Sequence, residues 1–365
     1  MTNRIFVTGA SGFLGREVVR ELLARDLDVR CLVRGADAAV RLLDALMAMG
    51  QLTSRRLELV YGSLRDEPVP RAWLAGCDVV VHAASALRGA PSVLVRENVA
   101  ATRALTNTAV ACGIRRFVHV SSLSVYGTQS LSPHSVLDER CPIDPTPERR
   151  GGYVYSKVVQ ESVCSDICRL HALPLVIVRP GVIFGPGRSA LSDRVGPRVG
   201  RLLAVVDRNR LLPYTFVANC ASAVTAAVLA DGIDGAAFNI VDDELPTARQ
   251  IVDLEQQSGA DLHVLSLPRW AARALSRLYE RWYTRAEGLL PSGFLPYVVQ
   301  ALYKPLRFSN ASARSRLEWQ PRVDLATALR LTIGAREAIT VASTPAISGR
   351  ASTARSRYRD ISIAR

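Results

Sequence analysis

The chain has 365 residues, 48% hydrophobic and 22% charged, with a formal net charge of +13. That balance belongs to a globular protein long enough to bury a core, and it excludes a wholly disordered chain, a collagen-like fibre and a disulfide-stapled miniature. Seven cysteines, an odd number without a CxxC pair, fit reduced thiols and a cytoplasmic location. No run reaches the roughly 18 to 20 apolar residues of a spanning helix. The opening MTNRIFVTGA leads straight into a strand, so no signal peptide is expected.

The first half alternates strands and helices. Ile5–Thr8 is a β-branched and aromatic run, after which Leu14, Val18, Val19, Leu22 and Leu23 recur at helical spacing. Val29–Val33, Leu57–Val60 and Val79–His82 read as further strands. Ala100–Cys112 reads as a helix, Arg116–Ser121 as a strand, Tyr153–His171 as a long helix and Leu175–Arg179 as a strand. This alternation predicts an α/β fold, a doubly wound parallel sheet of Rossmann type over residues 1–180. Residues 181–335, less regular and rich in Gly, Pro and Arg at their start, read as a smaller substrate region. Helices at Ser222–Leu229 and Leu325–Ile333 and a strand at Ala237–Val241 are expected there. Residues 336–365 carry Ser, Thr, Ala and Arg without an apolar period and read as a disordered basic tail.

Only Lys157 and Lys304 are lysines, which leaves 44 arginines among the 46 basic residues. Base composition of the gene accounts for such an excess, and so does attraction to anionic partners. No helix-turn-helix, zinc-finger or RNA-binding signature accompanies it, so no nucleic-acid partner is expected. The five histidines show no metal-ligand spacing, and no metal is expected.

TGASGFLG, Thr8 to Gly15, follows the first strand and opens the first helix. Gly9 permits the tight turn, Gly12 lets the backbone approach a pyrophosphate, and Gly15 packs the helix on the strand. The helix N-terminus offers free N–H groups to the phosphates. The second strand ends Cys31-Leu32-Val33-Arg34, without the acidic residue that binds the ribose 2′-hydroxyl of NAD. An arginine there suits a 2′-phosphate, so the expected cofactor is NADP, with NAD as the alternative.

Tyr153 and Lys157, four apart on one helix, share a face. A phenol titrates near pH 10, and a nearby ammonium lowers that value, which makes the pair a general acid/base unit. Tyr155, two residues on, faces elsewhere. Ser122 follows the fifth strand and is placed to hydrogen-bond a reacting carbonyl.

Taken together, TGASGFLG, VVHAAS (80–85), Asn98-Val99 with Thr102, VSSLSVYG (120–127), YVYSK (153–157), RPGVIFGPG (179–187) and FNIVDDE (238–244) resemble, in kind and order, the extended short-chain dehydrogenase/reductases, the NAD-dependent epimerase/dehydratase family. The resemblance covers about residues 3–330. It implies a hydride-transferring enzyme with Ser122, Tyr153 and Lys157 as the catalytic set, Lys157 also holding the nicotinamide ribose, and Asn98 supporting the site. It places Gly9, Ser11, Gly12, Phe13, Leu14, Gly15, Arg34, Ser63, Leu64, Ala83, Ala84, Tyr153, Lys157, Pro180 and Ile183 around the cofactor. A homodimer through a helix pair is usual for the family.

Dehydratases of the family carry an Asp-Glu pair after the active-site hydroxyl, where this chain has Leu123-Ser124. Sugar-nucleotide epimerases place an asparagine at the position of Val182. Gly62-Ser63-Leu64 and Val217-Ala218-Asn219-Cys220-Ala221-Ser222 also lack carboxylates usual in the family. The chain looks most like the 3β-hydroxysteroid dehydrogenase and dihydroflavonol-reductase-like branch. The expected activity is interconversion of a secondary alcohol and a ketone on a hydrophobic, lipid- or sterol-like molecule. The alternatives are a nucleotide-sugar epimerase with tightly bound NAD and a non-catalytic dinucleotide-binding regulatory protein. Within 264–305, Ala271, Leu275, Leu278, Tyr279, Trp282 and Leu289 recur at helical spacing beside arginines 269, 273, 277, 281 and 285. This insertion reads either as a packing helix or lid in an arginine-rich protein, or as an interfacial helix that puts 267–290 on the inner face of a membrane.

Overall fold

The computed structural model describes residues 4–48, 50, 55–65, 68–87, 89–286, 292–342 and 362–364, the last segment and 335–342 as backbone. The first part runs β1 (Arg4–Thr8), α1 (Phe13–Leu23), β2 (Asp28–Val33), α2 (Ala36–Ala48), β3 (Leu57–Tyr61), α3 (Arg71–Leu74), β4 (Val79–His82) and α4 (Pro91–Leu94). A π-helical stretch (Val95–Ala100) leads into α5 (Ala101–Ala111), followed by β5 (Arg116–Val120), β6 (Val136–Leu137), α6 (Gly152–Leu170) and β7 (Leu175–Pro180). Then come β8 (Val182–Phe184), β9 (Arg198–Val199), β10 (Leu202–Val206), β11 (Tyr214–Phe216), α7 (Val217–Leu229), β12 (Ala237–Ile240), α8 (Ala248–Gln257) and β13 (His263–Leu267). The chain closes with α9 (Arg269–Arg285), α10 (Pro296–Tyr303), β14 (Arg307–Phe308), α11 (Ala311–Arg316), α12 (Leu325–Ala342) and β15 (Ser362–Ala364).

The main sheet is parallel throughout, in the order β12-β7-β5-β4-β1-β2-β3, with β15 added at the β3 edge. Its central strands are apolar on both faces because helices cover both. Ile5, Val7, Val118 and Val120 pack under α1, α2 and α7. Phe6, Val80 and Phe117 pack under α5 and α6. Strand order reverses between β1 and β4, which opens a crevice beyond their carboxyl ends, the usual ligand position in such a sheet.

The sheet continues past residue 180. After β8 and β11, α7 packs on α1 and β12 pairs with β7. Residues 181–335 therefore leave the Rossmann unit, return to it, and leave again. A separate core gathers Phe184, Leu203, Tyr214, Phe216, Ile251 and Leu262. Within the basic tail read from 336, α12 continues to Ala342, and Ser362–Ala364 pair with β3. Residues 343–361 and Leu289 lie outside the described residues. Among the described residues, no helix is long and apolar enough to cross a membrane.

The glycine turn is fixed by close backbone approach. Gly9 has φ +71°, and a Cβ there would meet Ala84 N at 2.7 Å and Ala83 C at 2.8 Å. A Cβ on Gly15 would stand 2.0 Å from Gly9 O. Gly15→Ala must push α1 off the turn and is expected to cost about 1–3 kcal/mol or more. Gly12→Ala, whose Cβ would lie 3.0 Å from Gly9 O, is expected to cost less. Thermal melts of the two variants check that order.

Candidate active site

The crevice holds a cavity of about 380 Å³ lined by Thr8, Gly9, Ser11 and Gly12 from the first turn, Arg34 and Arg41 beyond β2, Ser63 and Leu64 beyond β3, and Ala83 and Ala84 beyond β4. Four strand ends thus bring the predicted cofactor residues Gly9, Ser11, Gly12, Arg34, Ser63, Leu64, Ala83 and Ala84 to one place. The N-terminus of α1 opens there without a side-chain cap and without an acidic residue in its first turn. Its N–H groups and dipole end therefore face the crevice uncompensated. Glu97 also lines the cavity, but Arg65 holds it at 2.6 Å. Glycine turn, uncapped helix and two arginines make a donor set that fits a dinucleotide's phosphates.

Other predicted cofactor residues lie outside this cavity. Leu14 is buried in the core under α1, and Gly15 sits beneath Gly9; they shape the turn from behind. Phe13 borders a neighbouring opening with Arg16 and Arg188, whose guanidinium groups stand 5.5 and 5.2 Å from its ring centre. Pro180 ends β7, buried, and Ile183 is half-buried on β8. Arg41, Arg65 and Arg188 carry no local signal among 44 arginines, although Arg41 lies on α2, just beyond Arg34.

Ser122 ends the run out of β5 and caps a 3-10 turn, Leu123–Val125. Its Oγ accepts from Ser124 N at 3.1 Å and from Ser124 Oγ at 3.0 Å, which leaves its own proton to point elsewhere. Arg150 Nη1 fixes this turn by donating to Ser124 O and Tyr126 O, both at 2.9 Å, and its buried guanidinium pairs with Asp144 at 3.3 Å. Neither Ser124 nor Arg150 is distinguishable in the sequence, because their partners come from other segments.

Tyr153 enters from the first turn of α6, just after Gly151 at φ +91°. Burial pushes the phenol's pKa up from its ordinary value, while a hydrogen bond with Ser122 and the charge of Arg188 pull it down. Lys157, one turn on and 3% exposed, donates from Nζ to Val120 O at 3.1 Å. Burial pushes its pKa down to about 8, opposed by the Glu161 carboxylate. Glu161 in turn is held by Arg179 and by Ser121 at 2.6 Å. The structure therefore places the phenol beside Ser122 and ties the ammonium to β5. Tyr155 is half-buried on another side of α6.

Asn98 lies in the π-helical stretch, a feature frequent at functional sites. It accepts from Ala86 N at 2.7 Å and donates to Ala86 O and to Ser156 Oγ, both at 3.0 Å. Its amide clamps the loop after β4 to α6, and Asn98 thereby acts on the site's shape. Among the described residues, no group of three or more His, Cys, Asp or Glu could hold a metal.

The family model described as NAD dependent epimerase/dehydratase family matches residues 5–240. The chain belongs to that family and is an NAD(P)-dependent enzyme of the extended short-chain dehydrogenase/reductase type. It is 29% identical over 329 residues, 88% of this chain and 92% of the relative, to a 4-hydroxy-2-methyl-3-oxo-4-farnesyl-3,4-dihydroquinoline-1-oxide ketoreductase of Stigmatella aurantiaca. It is 35% identical over 184 residues, 49% of this chain and 51% of the relative, to sterol demethylase protein B of Methylococcus capsulatus. Its fold is similar to that of a UDP-glucuronic acid 4-epimerase from Bacillus cereus solved with NAD: TM-score 0.67, 19% identity, 92% of this chain and 99% of that one covered.

Lys157 gives a pH test. Between pH 8 and the ordinary lysine value of about 10.4 the unfolded chain holds the proton that the folded chain has lost, so over this window the group makes stability rise with pH. Below about pH 8 both states are protonated and the full burden of roughly 3 kcal/mol remains. Lys157→Met removes it. The variant is expected to melt above the parent at pH 7 and to lose that advantage toward pH 10. A variant whose stability difference from the parent is the same at pH 7 as at pH 10 contradicts the burial argument.

Proposed function

We propose that this protein is an NADP(H)-dependent oxidoreductase that interconverts a secondary alcohol and a ketone on a hydrophobic, lipid- or sterol-like small molecule. The observation that carries this reading is the placement of the Ser122 and Tyr153 hydroxyls beside one another at the head of α6, with the buried Lys157 one turn behind. Ser122 accepts from Ser124 and so can donate to a substrate oxygen. Tyr153 gives its proton to that oxygen during reduction and takes the hydroxyl proton during oxidation. Lys157, charged at neutral pH, favours the phenolate that forms when Tyr153 gives up its proton. A nicotinamide dinucleotide held at the glycine turn supplies or takes up the hydride.

Preference for NADP is supported by Arg34 and Arg41, both lining the cavity beyond β2 where an NAD site has a carboxylate. Two fork-shaped cations there suit the dianionic 2′-phosphate. The Stigmatella relative is named for reduction of a ketone on a farnesylated quinoline, and the Methylococcus relative for sterol demethylation. Both names support a hydrophobic substrate. Val182, where the family's sugar-nucleotide epimerases place an asparagine, offers no polar group to a diphosphate.

Turnover of NADPH with a panel of hydrophobic ketones tests the activity. Stoichiometric oxidation of NADPH is expected, and Tyr153→Phe should lower kcat by about a hundred- to ten-thousandfold while NADPH still binds. Turnover of a nucleotide sugar without net oxidation identifies an epimerase and overturns the reading. For the cofactor, Arg34→Ala with Arg41→Ala is expected to weaken NADPH binding at least about tenfold and NADH binding little. Equal losses for the two cofactors contradict the preference.

A further inference from the structure

Helix α9 is weakly embedded. Its inner side consists of the buried Ala272 and Ser276 with the half-buried Tyr279 and Tyr283, and Tyr279 meets Phe294 edge-on at 5.9 Å. The small cluster beneath it is Val206, Ala272, Val299 and Tyr303. Its outer side carries Trp270 at 74% exposure, Trp282 at 59%, Leu278 at 50% and Leu275 at 46%. Trp270, Leu278 and Trp282 fall at multiples of four and form one row, its two indoles about 18 Å apart along the axis. A second row, Arg273, Arg277, Arg281 and Arg285, is exposed about 100° round the axis. Among the described residues none of these four arginines has a carboxylate partner, and Glu280 is the helix's single acid.

Two properties of this face point to its occupant. An exposed apolar row of this size is disfavoured in water and marks a binding surface. Arginines every four residues repel one another along the row, a cost that an anionic partner relieves. Indoles prefer the boundary between hydrocarbon and water, and arginines reach the headgroups from beside them. We propose that the outer face of α9 seats the protein on an anionic lipid bilayer, with Trp270, Leu278 and Trp282 entering the interface and Arg273, Arg277 and Arg281 meeting the headgroups. This goes beyond the catalytic reading and does not depend on it.

Co-sedimentation of the full chain with phosphatidylcholine vesicles and with vesicles containing phosphatidylglycerol tests the proposal. At least about tenfold more protein is expected on the anionic vesicles, falling as salt is raised. Trp270→Ser with Trp282→Ser, and separately Arg273→Glu with Arg277→Glu and Arg281→Glu, should each lose most of the binding. Tyr153→Phe should retain it, so failure here is distinguishable from failure of the catalytic reading. In the unsubstituted chain, brominated phosphatidylglycerol should quench tryptophan fluorescence, which needs no variant to fold. Equal binding to both vesicles, binding to neither, or anionic binding that survives loss of both tryptophans overturns the proposal. So does a dimer that becomes a monomer on Trp270→Ser with Trp282→Ser, which would make a second copy the occupant.

Discussion

The structure depends on one close approach: the turn after β1 pressed against the end of β4. Gly9 sits where any side chain would strike the backbone of Ala83 and Ala84, and Gly15 packs α1 beneath the same turn. That contact sets the crevice at the point where strand order reverses, aims the uncapped start of α1 into it, and brings the ends of β2 and β3 alongside. Everything assigned to cofactor recognition follows from this placement. The neighbouring β5 then delivers Ser122 from the same edge of the sheet, so the hydroxyl pair and the crevice share one rim.

Behind that rim the chain buries charge with partners. Lys157 is held by the Val120 carbonyl, Glu161 by Arg179 and Ser121, and Arg150 by two carbonyls and Asp144. Each is an arrangement in which removing one partner would strand another. Their common effect is to fix the turn after β5 and the first turns of α6. The proposed acid/base residues therefore stand on rigid elements, which is what orientation of a reacting group requires.

The sequence makes the sheet legible because parallel strands covered on both faces are short unbroken apolar runs, and Ile5–Val7, Val79–Val81 and Leu175–Val178 are of that kind. Ser122, Tyr153 and Lys157 are readable for a different reason: spacing within one helix and the end of one strand are local properties. What is not local escaped. Arg150 matters through carbonyls of the 124–126 turn, Arg41 through its position above β2, and Arg188 through the phenol it faces. Nothing in their own neighbourhoods sets them apart from the other arginines. The chain's return to the main sheet at α7 and β12 was hidden because the helix and strand signals do not say which sheet they join. The face of α9 lies between these cases: its two rows are visible in sequence, but only the exposures show which side is turned outward.

The central claim is that a nicotinamide dinucleotide in this crevice presents its reacting ring to the Ser122–Tyr153 pair. A crystal structure of the NADPH complex tests it most directly. The account predicts the nicotinamide ring facing Tyr153 Oη and Ser122 Oγ, with the 2′-phosphate between Arg34 and Arg41. A ring turned away from the two hydroxyls, or a crevice still empty at saturating NADPH, would contradict it.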